Sequence, residues 1–459
     1  MMTTGRVSVA CLLVCCSLSV LWGYLLQRNS PDGMLDFKGV YYAARSVLHH
    51  SDPYKLGEPL HVCQSEGGEC TQPSDVLIQV LSLNVYFPTI FIFTAPFAML
   101  PWGPVHLLWM AISTGILLVA AYLIWDLARN YAPVVSIVLT CFLIANCEAV
   151  LAVGNIAAMA VGFCVIAIWC FLRQRHAPIG ILCLALSLIA KPHDAGLVWL
   201  CLLLAGGTYQ KRALQALVLT LILGLPGVLW VSNIAPNWIE ELHSNLLTDA
   251  APGGAVDPGP STANSGSGPS VIISLQSTIA LVWNDPQIYN PVTYFVCGAL
   301  LLVWVILILR PQSSPTGVWI ALASIVPLTM LVTYHRSYDA KLLLLAIPAC
   351  AMLWAERGLI GWMAVLVTSA AIVCTADIPL TVLLILNRNL QTSSAGLIER
   401  MLTAVLMRPT PLILLAMSIF YLWVHARYSH ISTPNFLVRE EIRQSLAKMT
   451  DQHVRQSQC

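Results

Sequence analysis

VSVACLLVCCSLSVLWGYLL, residues 7–26, has no charged side chain in twenty positions. A run of that length, wound at ~1.5 Å per residue, spans the ~30 Å hydrocarbon layer of a bilayer. Its length and the lack of a small-residue cleavage site read as a retained anchor, not a removed leader. Similar apolar blocks recur at 104–125, 133–150, 155–172, 212–231, 291–309, 316–333, 341–354, 358–376 and 410–426. Of 459 residues, 58% are hydrophobic and 10% charged, so the chain reads as an all-α polytopic membrane protein.

Three apolar pieces, 85–101, 178–190 and 194–206, are too short or too broken by proline to be simple spans. The last two lie between the basic pairs Arg173/Arg175 and Lys211/Arg212. Lys and Arg in short loops mark the cytoplasmic side, so these two pieces form a hairpin that goes out and returns. The piece 85–101 then reads as re-entrant or interfacial, giving about twelve crossings with both termini in the cytoplasm. Residues 1–426 form the membrane domain, with outer loops 27–84, 232–290 and 388–409; residues 427–459 form a polar cytoplasmic tail with an amphipathic stretch near 434–449. In 249–270, 13 of 22 residues are Gly, Pro or Ser, too little apolar surface to order a segment by burial, so a mobile flap is expected there. Trp230, Trp238 and Trp283 read as interfacial belt residues.

Most of the fifteen cysteines fall inside apolar blocks, where thiols behave as small hydrophobes. Cys63 and Cys70 instead share the first outer loop, where a disulfide is chemically possible. No Cys/His spacing resembles a zinc site, and no glycine-rich loop precedes a helix to cradle phosphate. No nucleic-acid partner is expected.

Charge at membrane depth is costly and usually faces a protein interior or a wet cavity. Four such groups stand out: Asp36 just after the first block; Glu148 with Gly154-Asn155; Lys191-Pro192-His193-Asp194; and the run Tyr334 to Lys341, which holds His335 and Arg336. All four fall on the outer side in this topology. Phe37, Val40, Tyr41, Ala44 and Leu48 follow helical spacing, so Asp36 reads either as the N-cap of an interfacial helix or as a general base, and the two roles are compatible. Lys191 reads either as a snorkelling cation or as a turn poised at phosphate depth. His335 and Arg336 are either solvated loop residues or members of a site.

In order and spacing, several motifs over the first half of the chain resemble glycosyltransferase family 87, the polyprenol-phosphate-mannose-dependent mannosyltransferase-like branch of the GT-C superfamily. The motifs are Asp36, Tyr41-Tyr42, Ala43-Ala44 and Asp52-Pro53-Tyr54; Tyr86-Phe87-Pro88, Ala95-Pro96-Phe97-Ala98 and Leu100-Pro101; Gly154-Asn155; and Lys191-Pro192. The later half is similar in hydropathy and loosely at Gln276-Ser277 and His335. The chain departs from the family pattern at His49-His50-Ser51, where a glycine is common before Asp-Pro-Tyr, at Phe87, where a proline is common, and at Asn155, where a glutamine is usual.

The resemblance implies a GT-C fold with an essential acid in the first outer loop, here Asp36. It further implies inverting transfer of a hexose or pentose, with mannose foremost, from a polyprenyl phosphate to a glycolipid or glycan hydroxyl on the outer face of a bacterial-type plasma membrane. In this reading Asp36 is the general base, and Lys191, His335 and Arg336 bind the donor phosphate. Tyr41, Tyr42, Asn155 and Gln276, several of them in the shared motifs, are expected to line the substrate cavity. No cofactor is expected, and metal-independent transfer is implied, since a cationic clamp can stand in for a divalent ion and no Asp-x-Asp occurs. Two other classes remain open: a polytopic transporter, which would show paired inverted halves, and a non-catalytic lipid-carrier binding protein of envelope assembly, which would tolerate loss of Asp36.

Overall fold

The structure is a computed structural model that describes residues 2–29, 33–67, 70, 73–259, 272–310, 315–377 and 396–428. Hydrocarbon offers the backbone no water, so each spanning segment must satisfy its own N–H and C=O groups, and a helix does so within one segment. Helices accordingly dominate. Among the described residues the only pairing of extended backbone is an isolated bridge between Ile272 and Arg336.

Among the described residues, seven helical stretches are long and apolar enough to cross a membrane: Gly5–Asn29, Trp102–Ala128, Pro133–Val153 (broken at Asn146-Cys147), Gly207–Ile234, Pro286–Ile308, Ser337–Ala355 and Pro409–Tyr428. Shorter apolar helices at Ala157–Leu172, Ala177–Ala190, Pro192–Leu204, Gly317–Val332 and Leu359–Cys374 pack among them. Each overlaps an apolar block read from the sequence, and the chain is an all-α polytopic membrane protein. Within 85–101 the helix Ile90–Ala98 has nine residues and contains Pro96; at ~1.5 Å per residue it is far shorter than a bilayer.

The hairpin read from the basic pairs is present. Its arms, Ala177–Ala190 and Pro192–Leu204, have 14 and 13 residues, or about 20 Å each. Lys191 sits at the break, where proline ends the first helix and starts the second. At the far end of the arms Arg212 donates to the Phe171 carbonyl at 3.2 Å and to Gln174 Oε1 at 2.8 Å. Arg173 donates nearby to Asp126 Oδ2 at 2.9 Å. The basic residues thus gather at one end of the bundle and Lys191 lies at the other.

The outer loops form a core of their own at the Lys191 end. Helix Leu35–Leu48 buries Phe37, Val40, Tyr41 and Ala44, as its apolar spacing predicts, but Leu48 is only partly buried and Lys38, Tyr42, Ala43, Ser46 and Val47 are buried as well, so the helix is enclosed on more than one face. Phe37 stacks on Trp109 at 4.2 Å and on Trp102 at 5.6 Å, and burying such a side chain contributes about 1.5–3 kcal/mol. Helix Trp238–Asp249 closes this core, with Asn245 donating to the carbonyls of Tyr54 at 2.9 Å and Asn84 at 3.1 Å. Trp238 packs on Tyr54 and Phe87 and is buried. It is a core residue, not the belt residue that composition suggested. Cys63 and Cys70 are joined in a disulfide in the same region.

The Gly/Pro/Ser-rich segment also differs from expectation as far as Gly259. Asp257 accepts the backbone N–H groups of Gly253 and Gly259, each at 2.8 Å. Buried Arg408 donates to the carbonyls of Pro258, Ser277 and Gly259 at 2.6, 2.9 and 3.0 Å. Ionic hydrogen bonds, not apolar burial, order this stretch, which is why a composition argument misses it. The remainder of the expected flap, residues 388–395 of the third outer loop, and the tail beyond Tyr428 lie outside the described residues.

Candidate active site

Asp36 stands in the first turn of helix Leu35–Leu48, but the capping position belongs to Met34, whose backbone is left-handed (φ 58°) and whose N–H donates to the Ala152 carbonyl at 2.8 Å. The N-cap reading of Asp36 is therefore corrected. Its side chain is instead used across the fold: Asn155 Nδ2 donates to Asp36 Oδ2 at 2.7 Å and to the Tyr338 hydroxyl at 3.0 Å. The orientation of the Asn155 amide follows from its other end, because Oδ1 accepts the Ala157 N–H at 2.8 Å and the NH₂ must then face Asp36.

Gly154 makes this possible. It ends the short helix Glu148–Val153 with φ +67°, a conformation that suits glycine, and its carbonyl accepts from Trp109 Nε1 at 2.9 Å. A Cβ there would meet Phe37 Cβ at 2.8 Å and the Met34 thioether at 2.9 Å. Gly154→Ala is expected to destabilise the protein by about 1–3 kcal/mol and to lower the transfer rate by displacing Asn155. Thermal unfolding in detergent checks the first effect, and unchanged stability would show that the left-handed turn is dispensable.

The cationic side is built by the hairpin tip and the segment after Val332. Lys191 donates to Asp339 and lies 3.6 Å from Asp194 Oδ2 and 5.3 Å from the centre of the Tyr338 ring. Asp339 also accepts the Arg336 backbone N–H at 2.9 Å, which caps the 3₁₀ run Ser337–Ala346. His335 is buried, with Nδ1 3.2 Å from the Thr333 carbonyl and Nε2 3.1 Å from Asp194 Oδ1. Its own carbonyl accepts the Ile273 N–H at 2.9 Å, tying the segment after the Gly/Pro/Ser-rich stretch to the site. The Arg336 side chain donates to the Tyr334 hydroxyl and, at 2.8 Å, to the Ala255 carbonyl. Burial works against its charge, but Tyr334, Tyr338 and Asp36 around it outweigh that and hold the guanidinium firmly protonated.

Two further outer-loop groups face this centre. Burial first, and then the charge of Asp36, push the Tyr86 phenol well above its ordinary range. Burial likewise raises the Asp249 carboxyl, with Ala255 N–H and Arg336 opposing and Asp36 reinforcing the shift. The centre therefore joins Asp36, Tyr86, Asn155, Lys191, Asp249 and the Tyr334–Asp339 run, from six separate parts of the chain.

Of the residues picked from the sequence, Asp36, Asn155, Lys191, His335 and Arg336 come together. Tyr41 and Tyr42 are buried in the aromatic packing around Trp102, and the Tyr41 hydroxyl donates to the Leu100 carbonyl at 2.7 Å. Gln276 donates to Asn290 at 2.9 Å, not to any member of the centre. Glu148 lies in a different buried group with Asp377 and Lys341, in which Asp377 accepts the Ala149 N–H at 3.0 Å. An apolar hollow between Tyr131, Val134, Trp354 and Trp362 has no convergent polar groups like those around Asp36.

Sequence reasoning missed the carboxylate partners. Asp194 and Asp339 were visible as members of polar runs, yet a pairing across 148 residues leaves no local signal. Asp249 was hidden in a stretch read as a flap.

The model of glycosyltransferase family 87 matches residues 84–283. That segment contains Tyr86, Asn155, Lys191, His193, Asp194 and Asp249, while Asp36 and the Tyr334–Asp339 run lie on either side of it. No curated protein and no solved structure matches the chain. Over residues 84–283 the chain is similar to glycosyltransferase family 87, and this match together with its array of apolar helices supports a membrane glycosyltransferase.

Proposed function

We propose that the protein transfers a hexose or pentose, mannose foremost, from a polyprenyl-phosphate donor to a hydroxyl of a glycolipid or glycan, with inversion, on the outer face of a bacterial-type plasma membrane. The observation that carries this reading is the half-buried Asp36 carboxylate, held by Asn155 beside a cluster that contains Lys191, His335 and Arg336. Asp36 takes the proton of the acceptor hydroxyl as its oxygen attacks the anomeric carbon. The bond from that carbon to the phosphate oxygen breaks, and its electron pair leaves with the polyprenyl phosphate. Arg336 offsets the charge that grows on the phosphate, with Lys191 behind it, and such preorganised stabilisation matters most where water is excluded. The placement of the basic residues Arg173 and Arg212 at the opposite end of the bundle supports an outward-facing site under the positive-inside rule.

The test is direct. Protein reconstituted in liposomes is incubated with polyprenyl-phosphate mannose or arabinose and candidate acceptors, and products are identified by mass spectrometry. Transfer from the mannose donor with inverted anomeric configuration is expected. Failure to consume any polyprenyl-phosphate sugar, with nucleotide sugars turned over instead, would overturn the donor class.

A further inference from the structure

We propose that His193, Asp194 and His335 form a binding site for one divalent transition-metal cation of the Mn²⁺ type. One donor atom from each residue lies within 4.8 Å of the others. Asp194 Oδ1 is the hub: His335 Nε2 stands 3.1 Å from it and His193 Nε2 3.9 Å. Lys191 approaches the other oxygen, Oδ2, at 3.6 Å, so the ammonium and the proposed ion take different sides of the carboxylate.

Three features favour a metal over a hydrogen-bonded cluster. Asp194 and His335 are almost wholly buried, and although Lys191 stands 3.6 Å from Asp194 Oδ2 and His335 Nε2 3.1 Å from Oδ1, neither contact is an aligned hydrogen bond. A buried carboxylate whose neighbours are poorly aligned is incompletely compensated. The 3.1 Å separation of Nε2 and Oδ1 also suits two ligands that flank an ion at ~2.1 Å from each. Finally, the Thr333 carbonyl 3.2 Å from Nδ1 places the proton on that nitrogen. Nε2 then presents its lone pair, the arrangement that fixes the tautomer of metal-bound histidines.

Charge and donor type agree. The carboxylates of Asp36, Asp194, Asp249 and Asp339 surround a centre whose permanent cations are Lys191 and Arg336. Two imidazoles and one carboxylate suit first-row divalent ions better than Mg²⁺ or Ca²⁺, and three protein ligands leave coordination positions open. The partly exposed His193 ring marks the accessible side. This departs from the metal-independent expectation of the sequence reading.

The test is Mn²⁺ binding to the full-length protein in detergent, after removal of bound metal with a chelator, followed by loss of the free-ion electron paramagnetic resonance signal. Mn²⁺ is chosen because the free cysteines compete poorly for it. One ion per chain is expected, with nitrogen couplings from imidazole in pulsed spectra. His193→Ala, at an exposed position that the fold tolerates, is expected to weaken binding by about tenfold or more, and Asp194→Asn further. Absence of a stoichiometric site, or equal affinity in the His193→Ala protein, would overturn the proposal. The readout needs no turnover, so it can fail while the transferase reading stands.

Discussion

Asp36→Asn is expected to reduce sugar transfer by about 10³-fold or more, in the upper part of the range for loss of a general base, while the protein still folds and binds donor. The amide has nearly the shape of the carboxylate. It can turn its oxygen toward Asn155 Nδ2 and keep the 2.7 Å contact, so the stability change should stay below about 1 kcal/mol. What it cannot do is take a proton from the acceptor hydroxyl. Because the loss should fall on kcat and not on donor affinity, initial rates over a range of donor concentrations separate the two. Turnover within tenfold of the parent enzyme would sink the base assignment.

Lys191→Met is expected to hit fold and activity together. The sequence alone suggests a phosphate-binding cation whose loss would weaken donor use more than fold stability, but the structure buries the ammonium between Asp339 and Asp194. Removing it strands two carboxylates in the interior, and breaking a buried pair on one side typically costs about 3–5 kcal/mol. Pairing the change with Asp339→Asn removes one stranded charge and should recover a large part of that stability without recovering transfer. Thermal unfolding in detergent and rate measurements on both variants check this. Equal stability of Lys191→Met and the parent would show that the buried ion pair contributes nothing to the fold.

The two predictions also show what was legible beforehand. Hydropathy located the apolar helices because the bilayer demands long uncharged runs, and the hairpin could be read because Arg173/Arg175 and Lys211/Arg212 bracket it. Asp36, Lys191, His335 and Arg336 stood out because charge is rare in such a chain. Their partners did not. Asp339 was one polar residue in a dense run, and nothing local distinguishes a carboxylate that reaches back to residue 191 from one that is solvated. The capping reading of Asp36 failed for a related reason: the backbone turns at Met34, two residues earlier, so that the carboxylate can meet Asn155. The ordered stretch up to Gly259 escaped because Arg408, far along the chain, supplies the hydrogen bonds that its composition lacks.

The span between Lys191 and Asp339 has a consequence for synthesis. At ~5–20 residues per second, the 148 residues between them take roughly 7–30 s to emerge. Throughout that interval the hairpin must enter the bilayer with its ammonium but without its final counter-ion. Asp194, one helical turn away, is already present as an interim partner. The nascent chain thus carries a provisional ion pair, and the late arrival of Ser337–Ala346 converts it into the permanent one.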